Sequence, residues 1–205
     1  MKPLFIVFEG TDGSGKGTQI SLLSKRLEAN GARIFVTAEP TQFATGGLVR
    51  DTLGGMTKRT PAELATLFLA DRAVHCSNPV VGIKKLIDSG VTVICDRYYY
   101  SSFAYQGMDT NLKWVMDSNL NCPDILKPDL CIYLDVDPKV CDQRIQSGRA
   151  SREIYEKLES LERIRQKYLE VFKLLPDHNI RILDASGIPE EISAAVYEAV
   201  KSLDK

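Results

Sequence analysis

The chain has 205 residues, 44% of them hydrophobic and 26% charged, a globular composition that excludes a disordered or low-complexity protein and fits one compact domain over residues 1–205. Its 26 Lys and Arg stand against 27 Asp and Glu, a net charge of −1, so nothing global draws it to nucleic acid or an acidic membrane. The apolar start is too short for a signal-peptide core, and no segment approaches the roughly 18 apolar residues of a membrane span. Residues 4–8 predict the first strand and 16–30 the first helix. A second strand follows at 32–37, then a long helical stretch at 61–89 with a break near Pro79. A third strand falls at 91–95 and a fourth at 130–134, followed by helices at 139–146 and 152–175. The fifth strand at 180–183 precedes a last helix at 189–203.

The strands are short, apolar and rich in β-branched residues, and most lack in/out alternation, as strands buried on both faces of a parallel sheet do. Their alternation with helices predicts an α/β fold of three layers. Ligands bind such sheets beyond the carboxyl ends of the strands, so chemistry is expected just after each one. The five cysteines are odd in number with none at C-x-x-C spacing, and the histidines are only two. A disulfide framework, a zinc site or a Ser-His-Asp triad is therefore not expected, and a reducing cytoplasm is.

After the first strand comes Gly10-Thr11-Asp12-Gly13-Ser14-Gly15-Lys16-Gly17-Thr18, a phosphate-binding P-loop. Its glycines let backbone N–H groups converge on a polyphosphate, the next helix adds its positive end, and Lys16 neutralises the outer phosphates. Gly17 stands where Ser or Thr usually offers a hydroxyl to Mg²⁺, and Thr18 comes one residue late. Mg²⁺ is thus expected to rest on phosphates, waters and a nearby carboxylate. After the third strand, Asp96-Arg97 suits a metal's water shell and a second phosphate, or else a surface ion pair. The hydroxyl, amide and aromatic groups downstream, Tyr98 to Gly107, suit a pocket for an aromatic base. Phe68 and Arg72 share a helical face and either meet a base and phosphate, or Phe68 is core and Arg72 pairs with Asp71 or a neighbour. Glu39-Pro40 after the second strand is either punctuation or part of the site, with Arg50 further along. Arg144, Arg149 and Arg152 surround Gly148 and read as a mobile cationic flap over residues 144–153, or as a solvated helix connection.

Together these segments resemble the thymidylate kinases of the P-loop nucleoside monophosphate kinase group. The resemblance rests on Phe8 to Thr18, Glu39-Pro40, Leu67-Phe68 with Arg72, Asp96-Arg97-Tyr98, Ser101-Ser102, Ala104-Tyr105-Gln106-Gly107 and Pro128-Asp129 through Asp135, in the family's order. The Asp-Arg-Tyr segment ending in Ala-Tyr-Gln-Gly is the more specific part, since a P-loop alone names only a superfamily.

The resemblance implies a five-stranded parallel P-loop kinase fold with a short lid, and transfer of phosphate from ATP to dTMP with Mg²⁺. It implies ATP binding by residues 10–18 and Arg144, and a catalytic set of Lys16, Arg97, Asp12 and the lid arginines Arg149 and Arg152. It implies that Phe68 stacks on thymine, that Arg72, Ser102 and Gln106 meet the base, and that Tyr105 lies against the deoxyribose. Arg50 and Arg97 would hold the acceptor phosphate, with Asp12 and Glu39 nearby, and Asp96 would serve the metal through water, Thr18 more weakly. It also implies a homodimer. Two departures accompany Gly17: Ala38 replaces an Arg common before Glu-Pro, and Thr41-Gln-Phe-Ala-Thr replaces a Gly-rich continuation.

Overall fold

A computed structural model describes residues 2–148 and 158–203. Five parallel strands form one sheet: β1 (Phe5–Glu9), β2 (Ile34–Ala38), β3 (Thr92–Asp96), β4 (Leu130–Asp135) and β5 (Ile180–Asp184), in the order β2-β3-β1-β4-β5. β1 lies in register with both neighbours, Phe8 opposite Asp96 on one side and Ile132 on the other. The chain steps outward from β1 to β2, returns to β3 and then crosses β1 to β4, so the switch in direction falls at β1. The three central strands are almost wholly buried, whereas β2 and β5 leave Val36 and Ile182 half-exposed at the two edges.

Alternate residues of β1 feed two cores. Phe5 and Val7 pack under α3 (Pro61–Ser77), α5 (Tyr99–Ala104) and α9 (Leu158–Lys173) through Ala65, Tyr99, Ile164 and Tyr168. Ile6 and Phe8 face α1 (Lys16–Ala29), α8 (Pro138–Gly148) and α10 (Pro189–Lys201) through Leu23, Cys141 and Val196. Each strand thus has apolar partners on both sides, the physical reason that its sequence does not alternate.

The long helical stretch breaks where the sequence predicts. α3 begins at a capping box, Thr60 with Glu63, and Pro61 opens its first turn. Asn78, restricted by Pro79, leaves the helical region, and its side chain accepts from Val80 and Val81 N–H before α4 (Ile83–Asp88) begins. The sequence reading had no helix at α2 (Ala44–Leu53), α5, α6 (Gln106–Asp109) or α7 (Leu112–Leu120). Gly46 and Gly47 depress helix propensity in α2, and the Tyr- and Ser-rich composition of 98–105 favours strands or turns; packing overrides both. No helix among the described residues is long and apolar enough to cross a membrane.

Candidate active site

The P-loop turns from Glu9 into α1. Ser14 N–H donates to Thr11 O at 3.2 Å, and Gly15 caps α1 with a left-handed φ of 92°. Among the described residues no side chain caps the start of α1, the arrangement that suits a phosphate. Lys16 is buried, with Nζ 3.3 Å from Gly10 O and 3.4 Å from Thr11 O. Burial, and then the charge of Arg97, pull its pKa below the ordinary lysine value, against Asp96, Asp12 and Glu9. α8 docks on the same loop: Cys141 Sγ lies 3.4 Å from Thr11 Oγ1, and Arg144 donates to Gly13 O at 3.2 Å.

Arg97, just past β3, closes the gap to the loop. Its backbone is left-handed (φ 67°), which costs a non-glycine residue about 1–2 kcal/mol. The turn is held by Arg97 N–H on Phe8 O at 2.9 Å and by Tyr98 N–H on Glu9 Oε1 at 2.9 Å. The Arg97 guanidinium donates to Asp12 Oδ1 at 2.7 Å and to Ser101 Oγ at 3.1 Å, and packs against the Tyr105 ring. Burial opposes its charge, but the oxygens of Tyr105, Asp12, Tyr168 and Asp96 outweigh burial and hold the proton more firmly than usual. Beneath it, Glu9 Oε2 accepts from Ser101 Oγ (2.6 Å) and Tyr168 Oη (2.8 Å). Burial still pushes the Glu9 carboxyl up, with Arg97 pulling the other way.

Beside this pair opens a cavity. Seven of the residues named from the sequence line it: Asp12, Glu39, Phe68, Arg72, Arg97, Tyr105 and Gln106; Pro40, Leu53, Tyr98 and Ser101 complete it. Phe68 belongs to neither core cluster and is only partly buried, so it is not a core side chain. Arg72 is 1% exposed and ion-paired to Glu39 at 2.7 Å. Burial opposes its charge, yet Glu39 together with Tyr98 and Cys76 outweighs burial and raises the pKa.

Other expected residues stand further back. Ser102 is buried behind Arg72 and accepts from its Nη2 at 3.1 Å. Arg50 lies outside the lining and donates to Pro40 O at 3.3 Å and to Thr41 O. The Thr41-Gln-Phe-Ala-Thr segment is anchored by buried Asp71, which accepts from Thr41 N, Thr41 Oγ1 and Thr45 Oγ1 at 2.8, 2.6 and 2.7 Å. Arg149 and Arg152 lie outside the described residues. Glu9, Asn119 and Tyr168 were not singled out from the sequence; for Glu9 the available signal was an acid between a buried strand and a glycine turn.

For Mg²⁺ the fit is partial but chemically sound. Asp96 Oδ1 is buried and has no hydrogen-bond partner among the described residues, a hard oxygen of the kind Mg²⁺ takes. Asp96 and Gly17 line one groove beside α1, a Cβ on Gly17 would meet nothing within 4 Å, and Thr18 is exposed. Among the described residues no group of three His, Cys, Asp or Glu side chains is placed to hold a metal. The donor set therefore suits an ion carried on phosphates.

The thymidylate kinase family pattern matches residues 8–196. The chain belongs to the thymidylate kinase family. It is 39% identical to a probable thymidylate kinase of Thermococcus gammatolerans, over 97% of this chain and 96% of the relative. A probable thymidylate kinase of Pyrococcus horikoshii is 38% identical, over 98% and 97%. The thymidylate kinase of Leptospira borgpetersenii is 36% identical, over 93% and 90%. Membership of this family agrees with the five-stranded parallel sheet flanked by helices.

Proposed function

We propose that this sheet edge carries out the reaction for which the family is named, transfer of the γ-phosphoryl group of ATP to dTMP to give dTDP. The observation that carries the reading is one cavity shared by Phe68, Arg72 and Gln106 with Arg97 and Asp12, directly against the P-loop. A protein that only sensed ATP would need no second base pocket there. In this reading ATP lies with its phosphates in residues 10–18, and dTMP enters the cavity base first. Phe68 stacks on thymine, while Arg72 and Gln106 hydrogen-bond its edge. Tyr105, against the Arg97 guanidinium, lies beside the deoxyribose. Arg97 turns from Asp12 to the acceptor phosphate, and Arg50 lends charge from α2.

Phosphoryl transfer asks for in-line placement and neutralised charge rather than covalent chemistry. Lys16 and Arg97 supply charge from opposite sides of the transferred group, and Arg144 with the lid arginines Arg149 and Arg152 would complete it. Mg²⁺, held by phosphates and by Asp96 through water, would neutralise the β- and γ-oxygens. Lid closure over residues 144–153 would exclude water and prevent idle hydrolysis. The acceptor phosphate is already ionised, so no residue needs to act as a nucleophile.

We read the chain as one kinase domain over residues 1–205, acting as a homodimer in the cytoplasm. Leu48, Val74, Trp114 and Leu120 on α2, α3 and α7 each expose more than a third of their surface, which supports a dimer contact there. The five free thiols support a reducing compartment. The test is phosphate transfer from ATP to dTMP, compared with dUMP, the ribose analogue of dTMP, AMP and thymidine. dTDP formed in preference to the other products is expected. Folded protein that makes no dTDP would overturn the proposal.

A further inference from the structure

Arg72 can donate five hydrogen bonds and accept none. Nε and Nη2 both reach the same oxygen of Glu39, Oε2, at 2.8 and 2.7 Å. The other carboxylate oxygen, Oε1, is held 3.0 Å from His75 Nδ1, whose Nε2 lies 2.8 Å from Thr37 Oγ1. Glu39 therefore meets the guanidinium at a single atom rather than through the two-oxygen fork that fixes its plane. One atom is a pivot. Ser102 Oγ, accepting from Nη2 at 3.1 Å, is a second point, and the Nη1 end is left to be fixed by a point of its own.

That point is Asn119 on α7, 2% exposed and behind the cavity wall. Its Oδ1 accepts from Arg72 Nη1 at 2.5 Å, and its Nδ2 donates to Val115 O at 2.8 Å. The bond to Val115 leaves the amide only one orientation, carbonyl toward Arg72. With Nη2 also on Ser102 Oγ, the hydrogen bonds among the described residues leave one Nη1 N–H for the cavity that Arg72 lines.

We infer that Asn119 is a positioning residue for base selection: it locks the Arg72 guanidinium so that its last donor faces the base. This rests on the proposed dTMP reading of the cavity and deepens it. A fixed donor accepts a 4-keto pyrimidine and rejects a 4-amino one, because two donors facing each other leave both unpaired. Asn119 touches no substrate and acts only through Arg72.

The experiment compares dTMP with 5-methyl-dCMP, which differ at the 4-position, in wild type, Asn119→Leu and Asn119→Asp. Leu fills similar volume without an acceptor; Asp keeps the acceptor. Loss of a hydrogen bond to a charged group is expected to raise KM for dTMP about tenfold or more in Asn119→Leu. Its preference for dTMP over 5-methyl-dCMP should fall by a similar factor, with kcat and KM for ATP within about twofold of wild type. Asn119→Asp keeps the acceptor for Arg72 but loses the donor to Val115 O, so it should restore part of both dTMP affinity and preference. Folded Asn119→Leu with wild-type KM and preference, whatever its melting temperature, overturns the inference. If Leu does not give folded protein, Asn119→Ala is judged by the same two readouts. Wild type that makes no dTDP would remove the reading of the cavity itself, and this inference with it; a working wild type beside an indifferent Asn119 variant removes the inference alone.

Discussion

At the scale of single residues, the site holds charge in places where an empty protein gains nothing from it. Lys16 is buried against two carbonyls, and its lowered pKa records the cost of that burial. Lys16→Met should therefore melt no lower than wild type by calorimetry, while ATP-dependent dTDP formation falls at least about 10²–10³-fold, the scale of losing one preorganised donor at a developing charge. A variant that keeps its activity would take the loop out of phosphate binding. Phe68 makes the complementary case. It stands outside both cores and faces the cavity, so its removal should barely move the melting temperature. Stacking on an aromatic ring is worth about 1–3 kcal/mol per base, so Phe68→Ala should raise KM for dTMP about 5- to 150-fold and leave KM for ATP unchanged. Equal changes in both constants would place Phe68 in the fold instead of the base pocket.

At the scale of elements, what the sequence made legible and what it hid divide along a physical line. The three central strands were legible because burial on both faces writes itself as uninterrupted apolar runs, and the edge strands β2 and β5 through their β-branched residues, yet β1, β3, β4 and β5 each run one residue further, into Glu9, Asp96, Asp135 and Asp184. Those acids keep their backbone ladder: Asp96 pairs with Phe8 and Ala38, and Asp135 with Asp184. Their side chains are then handled locally, Asp135 by Arg165 Nε and Nη2 at 2.6 and 2.8 Å and Asp184 by Ser186 N–H at 2.9 Å. Chemistry at a strand's end is thus part of the strand. The helices between β3 and β4 were hidden because α5–α7 are short and owe their form to packing, and with α7 went Asn119. The meeting of α8 with the P-loop was equally invisible, since only the folded chain brings residue 141 to residue 13. There a Cβ on Gly13 would lie 2.6 Å from Cys141 O, whereas one on Gly15 would meet nothing within 4 Å. Both glycines have positive φ and share a strain of about 1–2 kcal/mol on substitution. Gly13→Ala should accordingly lower the melting temperature more than Gly15→Ala, by several degrees in differential scanning calorimetry. Equal losses would mean that α8 yields freely to the loop.

At the scale of the whole molecule, strand order was beyond the sequence, because an apolar run records burial and not which neighbour supplies it. The order sets what lies far from the active edge as well as on it. His178, at the turn from α9 into β5, sits half-buried at the opposite end of the sheet, with its Nδ1 2.8 Å from Tyr100 Oη. Tyr100 is held in its neutral form by burial. Burial first, and then Lys127, lower the pKa of His178 below 6.5, against Asp177. The unfolded chain therefore binds this proton more readily than the folded one, so stability rises with pH here. The contribution is complete above about pH 6.5 and is lost as pH falls from there through the folded value. Melting curves of wild type and His178→Gln, taken from about pH 7.5 to 5.5, should converge as pH falls, with the wild type losing more. Curves that stay parallel across that range would show that His178 carries its proton equally in both states, and the Tyr100 contact would then add nothing that pH can remove.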